Sequence, residues 1–295
     1  MRLGVHVVGY AVPGGPGAIP GVLRDVAQAA ESAGVENLSI MDHYLQMPGI
    51  GSDHDPMLEG YTTLGFLAAH TRTVELQLLM TGVTYRHPGL LATIVATLDV
   101  LSGGRAALGI GAAWYEREHR ALGVPFPPTA ERFERLEEAL RVVRQMWSEN
   151  DGPFEGAHYR LAETICAPQP LHPVPVMVGG NGERKTLRLV AEYADACNLI
   201  VGGDDAAEVA RHKLEVLHAH CDAVGRDYDS VLRTVMVPQP LDPAHEADRF
   251  LADMERLAAV GVQEVHVTPL GEAAAHPARF VEDLGRHVVP RLRQI

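Results

Sequence analysis

Cysteine is scarce and unpatterned, with only Cys166, Cys197 and Cys221 in 295 residues. They form no CxxC pair, and their odd number argues against a disulfide framework. Positive charge is also short. Lys and Arg total 25 against 38 Asp and Glu, a formal net charge of -13 spread along the chain. That balance excludes a generic nucleic-acid coat or an anionic membrane surface as partner. No apolar run is long enough to span a bilayer. The first ten residues lack a basic stretch followed by a long apolar core, so no secretory signal is read there. The expectation is a soluble cytoplasmic protein.

Several motifs are missing too. No GxGxxG follows the first strand-like run, which weakens an open dinucleotide-binding sheet. No GxSxG elbow occurs. The fifteen histidines are scattered. His212, His218 and His220 lack the i, i+4 spacing that would let one helix face hold a metal. Asp53-His54-Asp55, flanked by glycine and proline, reads as a surface loop. No metal site is expected.

Hydrophobic residues make up 46% of the chain, enough for a sizeable core. Short apolar runs alternate with amphipathic stretches almost to the end. Strands are read at residues 2–8, 38–41, 74–80, 105–110, 174–178, 196–201, 231–237 and 264–267. Helices are read at 20–34, 62–70, 88–101, 130–147, 183–193, 206–224, 243–259 and 277–292. Pro20 opens the first helix and Gly34 closes it, while Ser102-Gly103-Gly104 breaks the third. In the 130–147 helix, Phe133, Leu136, Leu140, Val143 and Trp147 share a face, with Glu131, Arg135, Glu138 and Arg141 turned to water. Residues 151–173, rich in Gly, Pro and aromatics, read as an insertion carrying a hairpin or cap near Tyr159. Roughly eight strand–helix pairs in this length predict an α/β fold, a (β/α)8 TIM barrel. A single domain over 1–295 is expected, with insertions capping the C-terminal face.

Ligands bind such a barrel at the C-terminal strand ends. After the second strand stand Met41-Asp42-His43-Tyr44. Imidazole can give or take a proton near neutral pH, and a neighbouring carboxylate can fix its tautomer. An isolated Asp-His is also common in plain polar loops. After the third strand come Thr81-Gly82-Val83-Thr84-Tyr85-Arg86-His87-Pro88, where glycine allows a flat ligand to approach the backbone. After the fourth, Gly109-Ile110-Gly111-Ala112-Ala113-Trp114 leaves room for a ring, with Trp114 as wall or as core residue. After the fifth, Val178 leads into Gly179-Gly180-Asn181-Gly182 and a helix start, an arrangement suited to an anion. Arg184, Lys185 and Arg188 follow, a basic cluster on an acidic chain that reads either as a ligand contact or as a solvated helix face.

Together these segments resemble the luciferase-like monooxygenase superfamily, and more closely its deazaflavin-dependent actinobacterial branch. The resemblance rests on the 81–88 and 109–114 stretches and three others. These are Leu98-Asp99-Val100-Leu101-Ser102-Gly103-Gly104-Arg105-Ala106, Arg132-Phe133-Glu134-Arg135-Leu136-Glu137-Glu138, and Tyr193-Ala194-Asp195-Ala196-Cys197-Asn198. It implies a non-prolyl cis peptide near Gly82–Val83, a structural role for the Ser102–Arg105 turn at the barrel bottom, and a homodimer. It places His43 beside the cofactor ring, supported by Asp42. The ring would be held by Thr81, Gly82, Val83, Gly111, Ala112, Val178 and Asn198. The phosphate would sit on Gly179, Gly180, Asn181 and Gly182, and a charged tail on Arg184 and Lys185. Tyr85, Trp114 and Glu59 would shape the substrate pocket. The chain departs from the sugar-phosphate dehydrogenases of the superfamily. Ala112, Ala113 and Trp114 stand where those carry an acid, and Glu116 and Glu118 follow in a different register.

The resemblance implies an oxidoreductase using the deazaflavin F420, passing a hydride to or from a small organic substrate, with activated C=C or C=N reduction as candidate chemistry. A separate F420-reducing enzyme would supply the cofactor. Two other readings stay open from the residues: an FMN-dependent two-component monooxygenase, and a non-catalytic cofactor-binding paralogue.

Overall fold

A computed structural model describes residues 1–295. Its main sheet is wholly parallel and runs β3-β2-β1-β11-β10-β9-β8-β5-β4. The strands are β1 (Arg2–Val7), β2 (Asn37–Ile40), β3 (Glu75–Leu78), β4 (Thr81–Gly82), β5 (Leu108–Gly111), β8 (Val176–Gly179), β9 (Ala196–Ile200), β10 (Leu232–Val237) and β11 (Glu264–Val267). β3 and β4 are halves of one stave, interrupted by a cis peptide at Leu79–Met80. The cis bond thus lies three residues before the expected Gly82–Val83. β3 pairs with β2, and β4 with β5. Leu76 also bridges Ala106, just ahead of β5. The nine segments therefore make an eight-staved barrel.

Helices surround it: α1 (Ile19–Ala33), α2 (Gly60–His70), α3 (Pro88–Ser102), α4 (Glu116–Leu122), α5 (Thr129–Met146), α6 (Thr186–Tyr193), α7 (Ala206–Val224), α8 (Ala247–Ala259), α9 (Pro277–His287) and α10 (Val289–Leu292). Gly34 and Gly103 end α1 and α3 in the left-handed conformation, at φ 69° and 76°. α4 is an element the sequence reading lacked. α6 and α8 begin three and four residues later than expected.

The two faces of each strand explain the core. Leu3, Val5, Leu38, Ile40, Leu76 and Leu108 are fully buried in the apolar layer between strands and helices. The opposite faces fill the barrel with polar groups, including Asn37, Ser39, Gln77, Asn198, Thr234, Glu264 and His266, all buried. Gly4 is small because His266 of the neighbouring strand takes the space its side chain would need.

The turn Ser102–Arg105 is a structural device, in line with the resemblance. The Arg105 guanidinium donates to the carbonyls of Ala68, Thr71 and Val74 and to the Thr71 hydroxyl. It thereby satisfies acceptors that the end of α2 leaves open. Asp99 ties the same region by accepting from the N–H of Ala106 and Leu171.

Residues 151–173 carry the hairpin β6 (Phe154–Glu155) and β7 (Arg160–Leu161). Glu138, expected to face water, is instead buried and accepts from the N–H groups of Ala157, His158 and Tyr159. The hairpin lies along α5. Contrary to the expected cap, none of residues 151–173 lines the space at the strand ends, where Met47 and Ile50 after β2, Trp114 after β5 and Leu270 after β11 stand instead.

Candidate active site

The C-terminal strand ends open into a cavity of about 570 Å³. Of the residues singled out in the sequence, Asp42, His43, Thr81, Gly82, Tyr85, Gly111, Ala112, Trp114, Gly179, Gly180 and Asn198 line it. Val83 and Val178 do not; both are packed in the apolar layer outside the barrel. Val178 alternates with Gly179, and only one of two strand neighbours can face inward.

The pairing within Met41-Asp42-His43 differs from expectation. Both residues line the cavity just beyond the end of β2, but they take different partners. Asp42 takes a two-pronged ion pair from Arg86, at 2.7 and 2.9 Å, and the N–H of Gly82 at 3.0 Å. Arg86 also reaches Glu59 at 2.5 Å; burial works against its charge, but Asp42 and Glu59 outweigh that and keep the guanidinium charged. Glu59 caps α2 by accepting from Tyr61 and Thr62 N–H. It braces this network and does not line the cavity, contrary to its expected place in the substrate pocket.

The carboxylate that serves His43 is Glu118, on α4. Its Oε1 accepts from His43 Nδ1 at 2.6 Å and from the Tyr85 hydroxyl. Its Oε2 accepts from the N–H of Tyr44 and Leu45 at 2.8 and 3.2 Å. Burial works against the Glu118 charge. The bonds from His43 and Tyr85, the His43 charge and the Tyr44 N–H outweigh it, and hold the carboxyl below its ordinary range. Burial and the same carboxylate push the Tyr85 phenol up, so Tyr85 stays a donor. An ionised carboxylate only accepts. His43 therefore carries its proton on Nδ1 when neutral, leaving Nε2 as the free ring nitrogen. Trp114 is no core residue: it is 61% exposed at the cavity mouth, edge-on to His43 at 5.7 Å between centroids.

The glycines have a more mechanical part than expected. A Cβ on Gly179 would lie 2.6 Å from the Met80 Cε, and one on Gly82 2.7 Å from the Tyr85 ring. They admit those two side chains to the cavity wall. Beyond β8, Asn181 is not a lining residue. It bonds both backbone groups of Ile200, at 2.7 and 2.8 Å, and locks this turn to β9. Gly182 likewise lies off the cavity, against Thr186, which does line it. Arg184 and Lys185 are exposed outside the cavity, though the Lys185 ammonium stands 5.3 Å over the ring of lining Phe133. Arg188 is engaged by Glu137 and Glu192.

Arg132 was missed as a site residue. It is 7% exposed and lines the cavity. Nη2 donates to Thr129, while Nε and Nη1 have no partner. Its guanidinium rests 4.0 Å over the Phe126 ring. Burial makes the charged form less favourable, yet guanidinium stays charged in proteins. The signal was present in the sequence. Arg132 lies four residues before Leu136 and eight before Leu140, and so interrupts the buried stripe of α5.

The luciferase-like monooxygenase family model matches residues 2–282. A protein of Kineococcus radiotolerans named F420-dependent glucose-6-phosphate dehydrogenase is 34% identical over 243 residues, covering 80% of this chain and 69% of that one. One of the same name from Microbacterium testaceum is 30% identical over 240 residues, covering 80% and 70%. Among solved structures, an F420-dependent secondary alcohol dehydrogenase in complex with an F420-acetone adduct superposes with a TM-score of 0.83. It shares 16% identity over 99% of both chains, a likeness of fold.

Proposed function

The chain belongs to the luciferase-like monooxygenase family, and on that premise we propose that it is an F420-dependent oxidoreductase acting on a small organic substrate. One observation carries the reading. A single cavity holds an anion-seeking side, Arg132 with the Gly179–Gly180 turn, and a proton-handling side, His43 and Tyr85 anchored on Glu118. A buried guanidinium with two unpartnered groups fits a phosphate, which can accept from both.

Arg132, Thr129, Gly180 and Thr186 would hold the cofactor phosphate, and Arg184 and Lys185 its charged tail. Bound deazaflavin supplies hydride chemistry. The protein's own part is to place and protonate. Glu118 fixes the His43 tautomer, so that Nε2 can take a proton from, or return one to, a substrate oxygen or nitrogen. Tyr85 donates to Glu118 and keeps that carboxylate from turning away. Asp42 and Arg86 hold the Gly82 backbone in place beneath the site. Trp114 screens the mouth from water.

Titration of the purified protein with F420 and, separately, with FMN tests the reading. Micromolar or tighter binding of F420 with negligible binding of FMN is expected. FMN preference, with oxygen consumption by the reduced complex, would move the protein to the monooxygenases.

The protein's surroundings follow from the same reading. Three buried free thiols suit the reducing cytoplasm, where an F420-reducing enzyme can recharge the cofactor. No helix is long and apolar enough to cross a membrane. The exposed positions of α3, namely Leu90, Thr93, Thr97 and Leu101, carry no charge, and Leu90 and Leu101 are 65% and 70% exposed. Neighbouring α2 has no Asp, Glu, Lys or Arg either. On a chain of net charge -13 this neutral face suits a second copy of itself. Light scattering should give twice the chain mass, and Leu90→Glu with Leu101→Glu should give a monomer.

A further inference from the structure

Resting on the reading that the cavity holds F420, we propose that its substrate is neutral and largely apolar, and that phosphorylated sugars are excluded. The argument starts from an inventory of positive charge. Arg132, His6 and His43 are the cavity-lining side chains able to carry it. Arg132 sits in the first turn of α5, next to Phe133, whose ring lies under the Lys185 ammonium. The permanent cations are thus gathered beside the Gly179–Gly182 turn, on the cofactor-phosphate side.

Nothing comparable remains for a second phosphate. His6 on the cavity wall is wholly buried. Burial and the charges of His266 and His43 push it down to about 3, so it is neutral. His43 is tied to Glu118 through Nδ1. Arg86, the next guanidinium, is taken by Asp42 and Glu59. A substrate phosphate would enter this space with no unpaired cation to meet it, a costly desolvation.

What the remaining wall offers is apolar and adaptable. Met41, Met47, Met80 and Met236 all line it, and thioether side chains mould to irregular shapes. At the mouth, Ile50, Trp114 and Ile200 line the same cavity while exposed by 37%, 61% and 47%. Large apolar side chains left in water around an opening mark a surface that an apolar ligand covers. The proteins named F420-dependent glucose-6-phosphate dehydrogenase thus share this chain's family, while its cavity selects a different class of compound.

The test is calorimetry on protein already saturated with F420, using cyclohexanone and cyclohexanol against glucose 6-phosphate. Saturable binding of a neutral ring is expected, with glucose 6-phosphate weaker by about a hundredfold or more. Met47→Asn should weaken the neutral ring by about tenfold and leave F420 affinity unchanged. Glucose 6-phosphate binding as tightly as the neutral ring would overturn the proposal. Binding of neither class would overturn it as well. Failure of F420 to load is read first, before any second ligand is added, and would instead overturn the cofactor assignment.

Discussion

Glutamine at position 118 lowers kcat by roughly ten-thousandfold, the order seen when a catalytic imidazole is held in the wrong tautomer, and leaves F420 affinity nearly unchanged. The reason lies in what the carboxylate of Glu118 accepts. Two backbone N–H groups, an imidazole N–H and a phenol all donate to it. A carboxylate takes all four without offering a proton, whereas an amide has one accepting atom and one donating atom. If the amide oxygen keeps the Tyr44 and Leu45 N–H groups, the NH₂ faces His43 and Tyr85. His43 must then accept at Nδ1, its proton moves to Nε2, and the nitrogen facing the substrate can no longer take one. Single-turnover rates measured by cofactor fluorescence report this directly. Glu118→Asp shortens the side chain but keeps the charge, and is expected to retain more activity than Glu118→Gln although its geometry changes more. If aspartate is the worse of the two, Glu118 serves packing and not the tautomer.

The barrel was legible in the sequence because its signals are local. Pro20, Gly34 and Gly103 punctuate helices by backbone rules that tertiary contacts do not alter. The chemistry was less legible because it is assembled across the chain. Asp42 and His43 are neighbours in sequence but serve different partners, Arg86 and Glu118, which lie 44 and 75 positions further on. The helix that carries Glu118, Glu116–Leu122, is short and highly charged, with too few turns to show an apolar period. The stave formed by β3 and β4 reads as one run, and nothing in its residue pattern marks the break at Leu79–Met80. Strands such as Arg2–Val7 alternate polar and apolar, which usually signals one wet face. Here the polar face, with His6 and Gly4, points into a barrel lined by Ser39 and His266, and the apolar face meets the helices. Alternation specified the two faces without saying which of them was the inside.

Methionine in place of Arg132 should weaken F420 binding by about a hundredfold or more, as charge-assisted bonds are lost, and yet leave the free protein as stable as before or more so. The two effects share one cause. In the free protein the guanidinium is buried with Nε and Nη1 unpartnered, and Thr129 and the Phe126 ring are its compensation. A cation over a ring is worth about 1–2 kcal/mol when desolvated, whereas burying an ion costs several. Methionine keeps much of the aliphatic length, brings no unpaired donors, and makes its own sulfur contact with Phe126. A gain of about 1 kcal/mol would raise the melting temperature by roughly 2–4 °C in a chain somewhat longer than those surveyed. Arg132→Lys should fall between, since an ammonium keeps the charge but cannot offer a planar fork of donors. Thermal melts of the free proteins beside F420 titrations separate the alternatives. Lower stability with unchanged F420 affinity would make Arg132 a strut of α5. Equal or higher stability with lost affinity would mean that folding tolerates an exposed need for an anion because binding later satisfies it. That trade is the sign of a residue retained for its ligand.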